Sequence, residues 1–592
     1  MCGICGEIRF DDGVASSQAI AAMCEVMVPR GPDAGGMVVR DRVGFGHRRL
    51  RIIDLSSRGA QPMVDAELGL SLAFNGCIYN YKELKAELAG KGYRFFSDSD
   101  TEVILKSYAE WGTRCVERFN GMFAFAIHER DSGRVILARD RLGIKPLYLA
   151  VPDGGRAVRF ASSLPALIAT PGLDRSIDPV ALHHYMSFHA VVPPPYTMIK
   201  GVRKLPPATV AVFEADGSRT DQVYWAPSFE RTGEDVETTA DEWEARVHDA
   251  LMLAVKRRMV ADVPVGVLLS GGVDSSLIVG LLAEAGQRGL KTFSVGFESV
   301  GGEEGNEFKY SDLIARHFGT EHFKIQVPTA DMIAALPATI AAMSEPMVSH
   351  DNVGFFLLSR EVQKHVRVVQ SGQGADEIFG GYHWYPPLVA GNAGVADYRE
   401  AFFDRDHSDF AKAVTPEFLG DDFSTAFVEA HFALPGANTA VDRALRIDTQ
   451  IMLADDPVKR VDNMTMAWGL EARVPFLDHE LVELAAKIPP EHKLKQDGKG
   501  VLKDVARKVV PAEVIDRPKG YFPVPALKYI EGPVFDMVND ALKSQVSRQR
   551  GVFQRDYVDM LLANPRDHIT KLRGSKLWQI ALLELWLQAH EL

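Results

Sequence analysis

The stretch Val265-Gly266-Val267-Leu268-Leu269-Ser270-Gly271-Gly272-Val273-Asp274-Ser275-Ser276 decides the fold of the larger part of the chain. Val265 to Leu269 is a short apolar run bounded by turn residues, the pattern of a buried strand. A Gly-rich turn follows, then a helix over Ser275 to Ala285 and a second apolar strand over Thr292 to Phe297. That is one βαβ unit at the expected length, hence a parallel sheet. Val366 to Gln370 reads as a further strand of that sheet, an amphipathic helix over Glu242 to Met259 precedes it, and the rest is largely helical to Leu592. Small residues at a strand–helix junction let backbone and hydroxyl donors wrap a phosphate at the helix N-terminus. The chain contains no GK[ST], so this is not a Walker A loop.

Upstream, to about Lys204, the pattern changes. Short strand-like runs (Val43 to Phe45, Leu70 to Phe74, Phe123 to Ile127, Arg134 to Ala138) alternate with turns and with helices over Tyr81 to Ala89 and Thr101 to Trp111. This predicts an α+β unit with mostly antiparallel strands. From Pro193 to about Thr238 the chain is rich in Pro and in turn sequences such as Gly-Ser-Arg-Thr, which suits a connector with some strands in it. The expected division is 2–204, a connector over 205–238, and 239–592.

The 592 residues are 46% hydrophobic and 24% charged, ordinary globular values that exclude disorder and low complexity. Lys plus Arg is 66 against 79 for Asp plus Glu, a net −13 that argues against nucleic acid as partner. Five cysteines, an odd number, make no disulfide framework and suit a reducing compartment. The start, MCGICGEIRFDDG, has neither basic n-region nor apolar h-region, and no apolar stretch is long enough for a bilayer, so a cytoplasmic protein with no membrane partner is expected.

Two chemistries compete at Met1-Cys2-Gly3-Ile4-Cys5. Cys2 and Cys5 form a C-x-x-C, but no second ligand pair for zinc lies near in sequence, and a redox dithiol normally follows a strand inside a βαβ pattern. Alternatively, removal of Met1 exposes Cys2 with a free α-amine, which titrates at about 8 and can act as general base for its own thiol. A buried strand of small residues is the bland third reading.

The segments that follow resemble the glutaminase domain of class II glutamine amidotransferases. Arg30-Gly31-Pro32-Asp33, Gly46-His47-Arg48-Arg49-Leu50, Gly59-Ala60-Gln61-Pro62-Met63, Asn75-Gly76-Cys77-Ile78-Tyr79-Asn80 and Ser99-Asp100-Thr101-Glu102 match five family motifs in order. The resemblance implies an Ntn-type α-β-β-α sandwich with Cys2 as nucleophile, Asn75 and Gly76 as oxyanion donors, and Arg49, Asn75 and Asp100 as the glutamine site. The residue types suit the substrate: Arg49 offers a planar fork to a carboxylate, and Asp100 a counter-charge to an ammonium, a helix N-cap, or both. Cys77 stands where asparagine synthetases usually carry Glu.

The second half continues the likeness. Leu269-Ser270-Gly271-Gly272-Val273-Asp274-Ser275-Ser276 matches the SGGxDSS loop of ATP pyrophosphatases, and Ser371-Gly372-Gln373-Gly374-Ala375-Asp376-Glu377-Ile378-Phe379-Gly380-Gly381-Tyr382 resembles the SGxGxDExFGGY block of asparagine synthetases. Arg460 to Met464, Leu470 to Asp478, Gly498-Lys499 and Arg517-Pro518-Lys519-Gly520 extend it. The chain is thus similar to asparagine-synthetase-type amidotransferases over nearly its whole length, which implies an α/β ATP-pyrophosphatase-type domain with a helical C-terminal part. Implied nucleotide contacts are Leu269, Ser270, Gly271, Gly272, Asp274, Ser275, Ser276, Val295, Ser371, Gly372 and Lys499, with Asp274 and Asp376 as Mg²⁺ ligands. Lys519 is implied as catalytic, Gln373 and Glu377 as acceptor pocket. Glu471, Arg473 and Asp478 are expected to form a buried structural network. The implied activity is a glutamine-hydrolysing carbon–nitrogen ligase that consumes ATP to AMP and diphosphate, with small-molecule substrates and a homodimer compatible.

Aspartate-using members usually carry Glu where this chain has Gln373. The variants NGCIYN, SGQGADE, SEPMVSHD and GGYHWYPP together resemble N-acetylglutaminylglutamine amidotransferases. Amidation of that dipeptide is the expected reaction; asparagine synthesis and a degenerate regulatory glutaminase are the alternatives.

Overall fold

The computed structural model describes residues 2–298, 305–389, 394–517 and 530–592. Lys519 lies outside the described residues.

The N-terminal half stacks two six-stranded antiparallel sheets. The first runs in the order Val202–Lys204, Tyr148–Ala150, Ala157–Ala161, Gly3–Arg9, Val43–Arg49, Ala34–Arg40. The second runs Arg219–Val223, Thr209–Phe213, Val135–Arg139, Gly121–Glu129, Leu70–Ile78, Met63–Asp65. Period-2 alternation builds the layers. Ile4, Ile8, Phe45, Ala73, Ala124 and Ala126 fill the space between the sheets. Cys5 faces the other way, onto Ile20 and Met23 of the helix Ser17–Val26. Leu72, Phe74, Phe123 and Phe125 likewise meet Val103 and Ile104 of the helix Asp100–Trp111. The result is the expected helix–sheet–sheet–helix sandwich.

The second sheet does not stop at Lys204. Thr209–Phe213 pairs with both Val135–Arg139 and Arg219–Val223, so much of the stretch expected to be connector is sheet. Arg219–Val223 is an exposed edge strand, and its charged, polar sequence hides the strand pattern.

The C-terminal half carries a five-stranded parallel sheet in the order Glu321–Val327, Lys291–Phe297, Val265–Leu268, Val368–Gln370, Glu471–Arg473. Numbered along the chain this order is 3-2-1-4-5, which puts the topological switch between Val265–Leu268 and Val368–Gln370. The helix Ala240–Arg257 begins in a capping box between Thr239 and Glu242, and Val273–Glu284 follows the Gly-rich turn. Among the described residues no helix is long and apolar enough to cross a membrane.

The halves are packed together. One apolar cluster runs from Phe74 and Val103 to Val247 and Leu277. Buried ion pairs cross the boundary, Arg30 to Asp462 at 2.9 Å and Lys204 to Glu345 at 2.9 Å among them.

Candidate active sites

Cys2 precedes the central strand Gly3–Arg9, and its register against Val43–Arg49 (Gly3 opposite Arg48) sets the thiol beside the end of that strand. The Cys2 nitrogen lies 3.0 Å from Asn75 Oδ1, and the Sγ lies 4.0 Å from the Leu50 carbonyl. Burial pushes the thiol up, so a base within the site is needed to ionise it. Asn75 is fully buried, and its Nδ2 makes no hydrogen bond among the described residues. An orphaned amide donor of this kind is what a developing oxyanion would use. Gly76 has φ +154°, and a Cβ there would sit 2.1 Å from the Met122 carbonyl. Only glycine fits.

The Arg49 guanidinium is braced by the carbonyls of Ser56 at 3.0 Å and Asp54 at 2.5 Å, and Gly59 leaves the room it needs. Asp100 opens the helix Asp100–Trp111, but the cap is Ser99, whose side chain accepts from Thr101 N–H. The N-cap reading of Asp100 is therefore replaced: its Oδ2 accepts from Ile78 N–H at 3.1 Å. Burial pushes the Asp100 carboxyl up to about 7.

Cys2, Arg49, Gly76, Cys77 and Asp100 line one cavity. Its far wall comes from the other half of the chain, as Glu471 and Arg473. Arg473 Nε donates to Glu471 Oε1 at 2.5 Å, Nη1 to the Arg258 and Val260 carbonyls at 2.9 and 2.7 Å, and Nη2 to Cys77 Sγ at 3.6 Å. Burial opposes charge at Glu471, yet Arg473 and Lys145 hold its carboxyl well below the usual carboxylate range. Glu471 and Arg473 pair with each other, while Asp478 pairs with Arg258 at 2.7 Å and Arg257 at 3.2 Å, and the Glu471–Arg473 pair also walls the first cavity, a position no local pattern in the sequence signals. The only available signal was their place in the Leu470–Asp478 block. Cys5 is elsewhere: its Sγ lies 3.6 Å from Cys24 Sγ beneath the first sheet.

The second constellation sits at the switch point. The Ser270 hydroxyl lies 3.1 Å from the Ser275 hydroxyl and accepts from Gly272 N–H at 3.3 Å, closing the turn. Leu269 N–H donates to Phe293 O at 2.8 Å; Ser276 is buried, and Val295 lies in the neighbouring strand. Gly271, at φ +78°, lets Tyr310 and Ser311 approach. The two loops touch: a Cβ on Gly372 would lie 3.0 Å from Asp274 Cβ. Lys499 Nζ is 2.7 Å from Asp274 Oδ2 and 2.9 Å from Asp376 Oδ1, so both carboxylates converge on one cation-sized position. That donor set fits Mg²⁺, which takes one or two carboxylates with phosphate oxygens.

Gln373 is half-buried in the loop that carries Asp376. Glu377 is buried and accepts from the Tyr382 hydroxyl at 2.5 Å; burial, with Asp376 beside it, pushes its carboxyl up. Ser371 N–H donates to the Arg473 carbonyl at 2.8 Å. The strand Glu471–Arg473 therefore touches the first site with its side chains and the second with its backbone.

Residues 1–225 match the family model for a glutamine amidotransferase domain, and 246–588 match that for asparagine synthase. The chain is 32% identical over 627 residues to asparagine synthetase [glutamine-hydrolyzing] 1 of Bacillus subtilis (strain 168), covering 99% of this chain and 96% of that one. It is 34% identical to a putative asparagine synthetase [glutamine-hydrolyzing] of Mycobacterium tuberculosis H37Rv, covering 89% and 88%. Asparagine synthetase B [glutamine-hydrolyzing] of Escherichia coli K12 shares 28% identity over 88% of this chain and 82% of its own.

Proposed function

The chain belongs to the asparagine synthase family and carries a glutamine amidotransferase domain, and from that premise we propose that it amidates the terminal α-carboxyl of N-acetylglutaminylglutamine with ammonia taken from glutamine. The coarser activity, a glutamine-dependent, ATP-using amidotransferase of the asparagine synthetase type, follows from the family itself.

With Met1 removed, the Cys2 α-amine takes the proton of its own thiol, and the thiolate attacks the glutamine amide carbon. Asn75 Nδ2 and the Gly76 N–H receive the oxyanion; collapse releases ammonia and leaves a thioester that water clears. Arg49 holds the substrate carboxylate and Asp100 its ammonium. In the second site the acceptor carboxylate attacks the ATP α-phosphorus and pyrophosphate departs. Ser270, Gly271, Gly272, Ser275 and Ser276 cradle the departing phosphates. Asp274 and Asp376 would hold Mg²⁺, which neutralises phosphate charge when bound. Lys499, released from the two carboxylates, then faces pyrophosphate, and Lys519 is assigned to the transferring groups. Ammonia displaces AMP. It must reach the second site unprotonated, and the route is assigned to the boundary where Glu471–Arg473 adjoins both sites.

The observation that carries the acceptor assignment is Gln373 in place of a carboxylate. A neutral amide cannot pair with the ammonium of aspartate, but it can donate to and accept from the amides of a blocked dipeptide. Gln373 is half-buried, so an ammonium left without its partner there costs less than the about 3–5 kcal/mol of a fully buried charge, on the order of 10²-fold in substrate choice. The proton shed on collapse is assigned to Glu377. Glu345 is already engaged by Lys204 and by Lys459 at 3.5 Å, and burial keeps the His350 imidazole neutral down to about 4. The names of the relatives favour aspartate as a second reading.

Pyrophosphate release with each acceptor decides between them. Fast release with the acetylated dipeptide and little with aspartate is expected; efficient asparagine formation with no response to the dipeptide overturns the assignment. A second expected result concerns Asp100. Its carboxyl is raised, so it is charged above about pH 7 and neutral below. KM for glutamine should rise as pH falls below about 7, by up to about tenfold per unit. A KM that stays flat to about pH 5 removes Asp100 from the ammonium site.

A further inference from the structure

Away from both sites, three ligand-type side chains converge where the two halves meet. His183 lies on the helix Pro179–Ser187 of the N-terminal half, His407 opens the helix His407–Ala413, and Asp422 caps the helix Phe423–Ala433. His183 Nε2 is 3.1 Å from His407 Nδ1 and 3.7 Å from Asp422 Oδ1, and one donor atom from each of the three lies within 4.8 Å of the others. We propose that His183, His407 and Asp422 bind a zinc ion that staples the N-terminal half to the helical part of the C-terminal half.

The spacing suits the ion. Zinc sits about 2.0–2.2 Å from imidazole nitrogen and carboxylate oxygen, and tetrahedral donors at that radius are about 3.3 Å apart. The two measured gaps bracket that value. The surroundings also orient the ligands. The Ser424 hydroxyl lies 2.9 Å from His183 Nδ1 and 3.1 Å from His184 Nδ1. Accepting from the first and donating to the second, it leaves His183 Nε2 as a lone pair aimed at the site, the outer-shell arrangement common to metal-ligating histidines. Asp422 is fixed by Thr425, whose N–H donates to Oδ1 at 3.1 Å and whose hydroxyl donates to Oδ2 at 2.6 Å. Phe410 packs on the His183 ring, 4.5 Å between centroids, while His407 and Asp422 are partly exposed and give the ion a way in. Two imidazoles and one carboxylate favour zinc over magnesium or calcium, which prefer all-oxygen sets. Water completes the fourth position.

The test uses the full-length enzyme, stripped with a chelator, desalted and titrated with Zn²⁺. Retention of about one zinc per chain through gel filtration is expected, with a higher Tm that Mg²⁺ does not reproduce. Ser424→Ala should weaken zinc binding about 10–100-fold at wild-type glutaminase turnover, and His407→Gln should abolish both retention and the Tm rise. Should His407→Gln fail to fold, Ser424→Ala decides alone. Zinc uptake and Tm response equal in wild type and variants would overturn the proposal, as would no retention by the wild type; the cluster would then be a metal-free histidine pair.

Discussion

Cys2→Ala abolishes product formation from glutamine and leaves product formation from ammonium close to wild type. Cys2 carries its own α-amine as base, whereas burial holds the other thiol of the cavity, Cys77, in its neutral form; loss of a nucleophile from a preorganised site costs on the order of 10⁴–10⁶ in turnover. The ammonium-dependent reaction is expected to survive because the proposed phosphate and metal ligands, Ser270 to Ser276 and Asp376, lie at another sheet. Replacing a buried Sγ by hydrogen leaves little void, so the fold should tolerate it. Cys5→Ala is the control. Its sulfur contacts Cys24 beneath the sheet, and the glutamine-dependent rate should fall only mildly. Equal loss from both nitrogen sources in Cys2→Ala would assign Cys2 to the fold or to the second site; complete loss in Cys5→Ala would revive a C-x-x-C function.

Asp274→Asn and Asp376→Asn produce the mirror image: acceptor-dependent turnover falls by on the order of 10²-fold or more, and glutamine hydrolysis persists. Each change removes one of two carboxylates that meet at Lys499. Either variant still leaves Lys499 one carboxylate partner, so the buried lysine is not stranded and the fold should hold. Assaying ammonia release and AMP release on the same preparations separates the two activities. Loss of glutaminase together with synthetase in both variants would show that these residues support the docking of the halves rather than phosphate chemistry.

Much of both sites was legible because their residues come in short local blocks. Asn75-Gly76, Asp100 and Leu269 to Ser276 each sit at the end of one strand or the start of one helix, and backbone geometry delivers them together. The βαβ unit was equally plain, since buried parallel strands are continuous apolar runs. What escaped depends on distant pairing. Arg473 and Cys77 are 396 residues apart in sequence, and nothing local in Glu471-Ala472-Arg473 announces a strand that serves two sites. The histidine cluster spans 224 residues between His183 and His407. The connector was expected to hold some strands, but that Thr209–Phe213 and Arg219–Val223 join the second sheet depends on pairing with Val135–Arg139, which no local pattern announces. Asp100 could have served both as counter-charge and as helix cap; the observed cap is Ser99.

The most direct test of the central claim follows one nitrogen through the whole enzyme. Glutamine labelled with ¹⁵N at the side-chain amide is supplied with ATP, Mg²⁺ and N-acetylglutaminylglutamine, in the presence of unlabelled ammonium. The label is expected to enter the new terminal amide in preference to the unlabelled pool, with AMP and pyrophosphate formed in equal amounts to the product. Product carrying mainly unlabelled nitrogen, or ADP and phosphate in place of AMP and pyrophosphate, would contradict it.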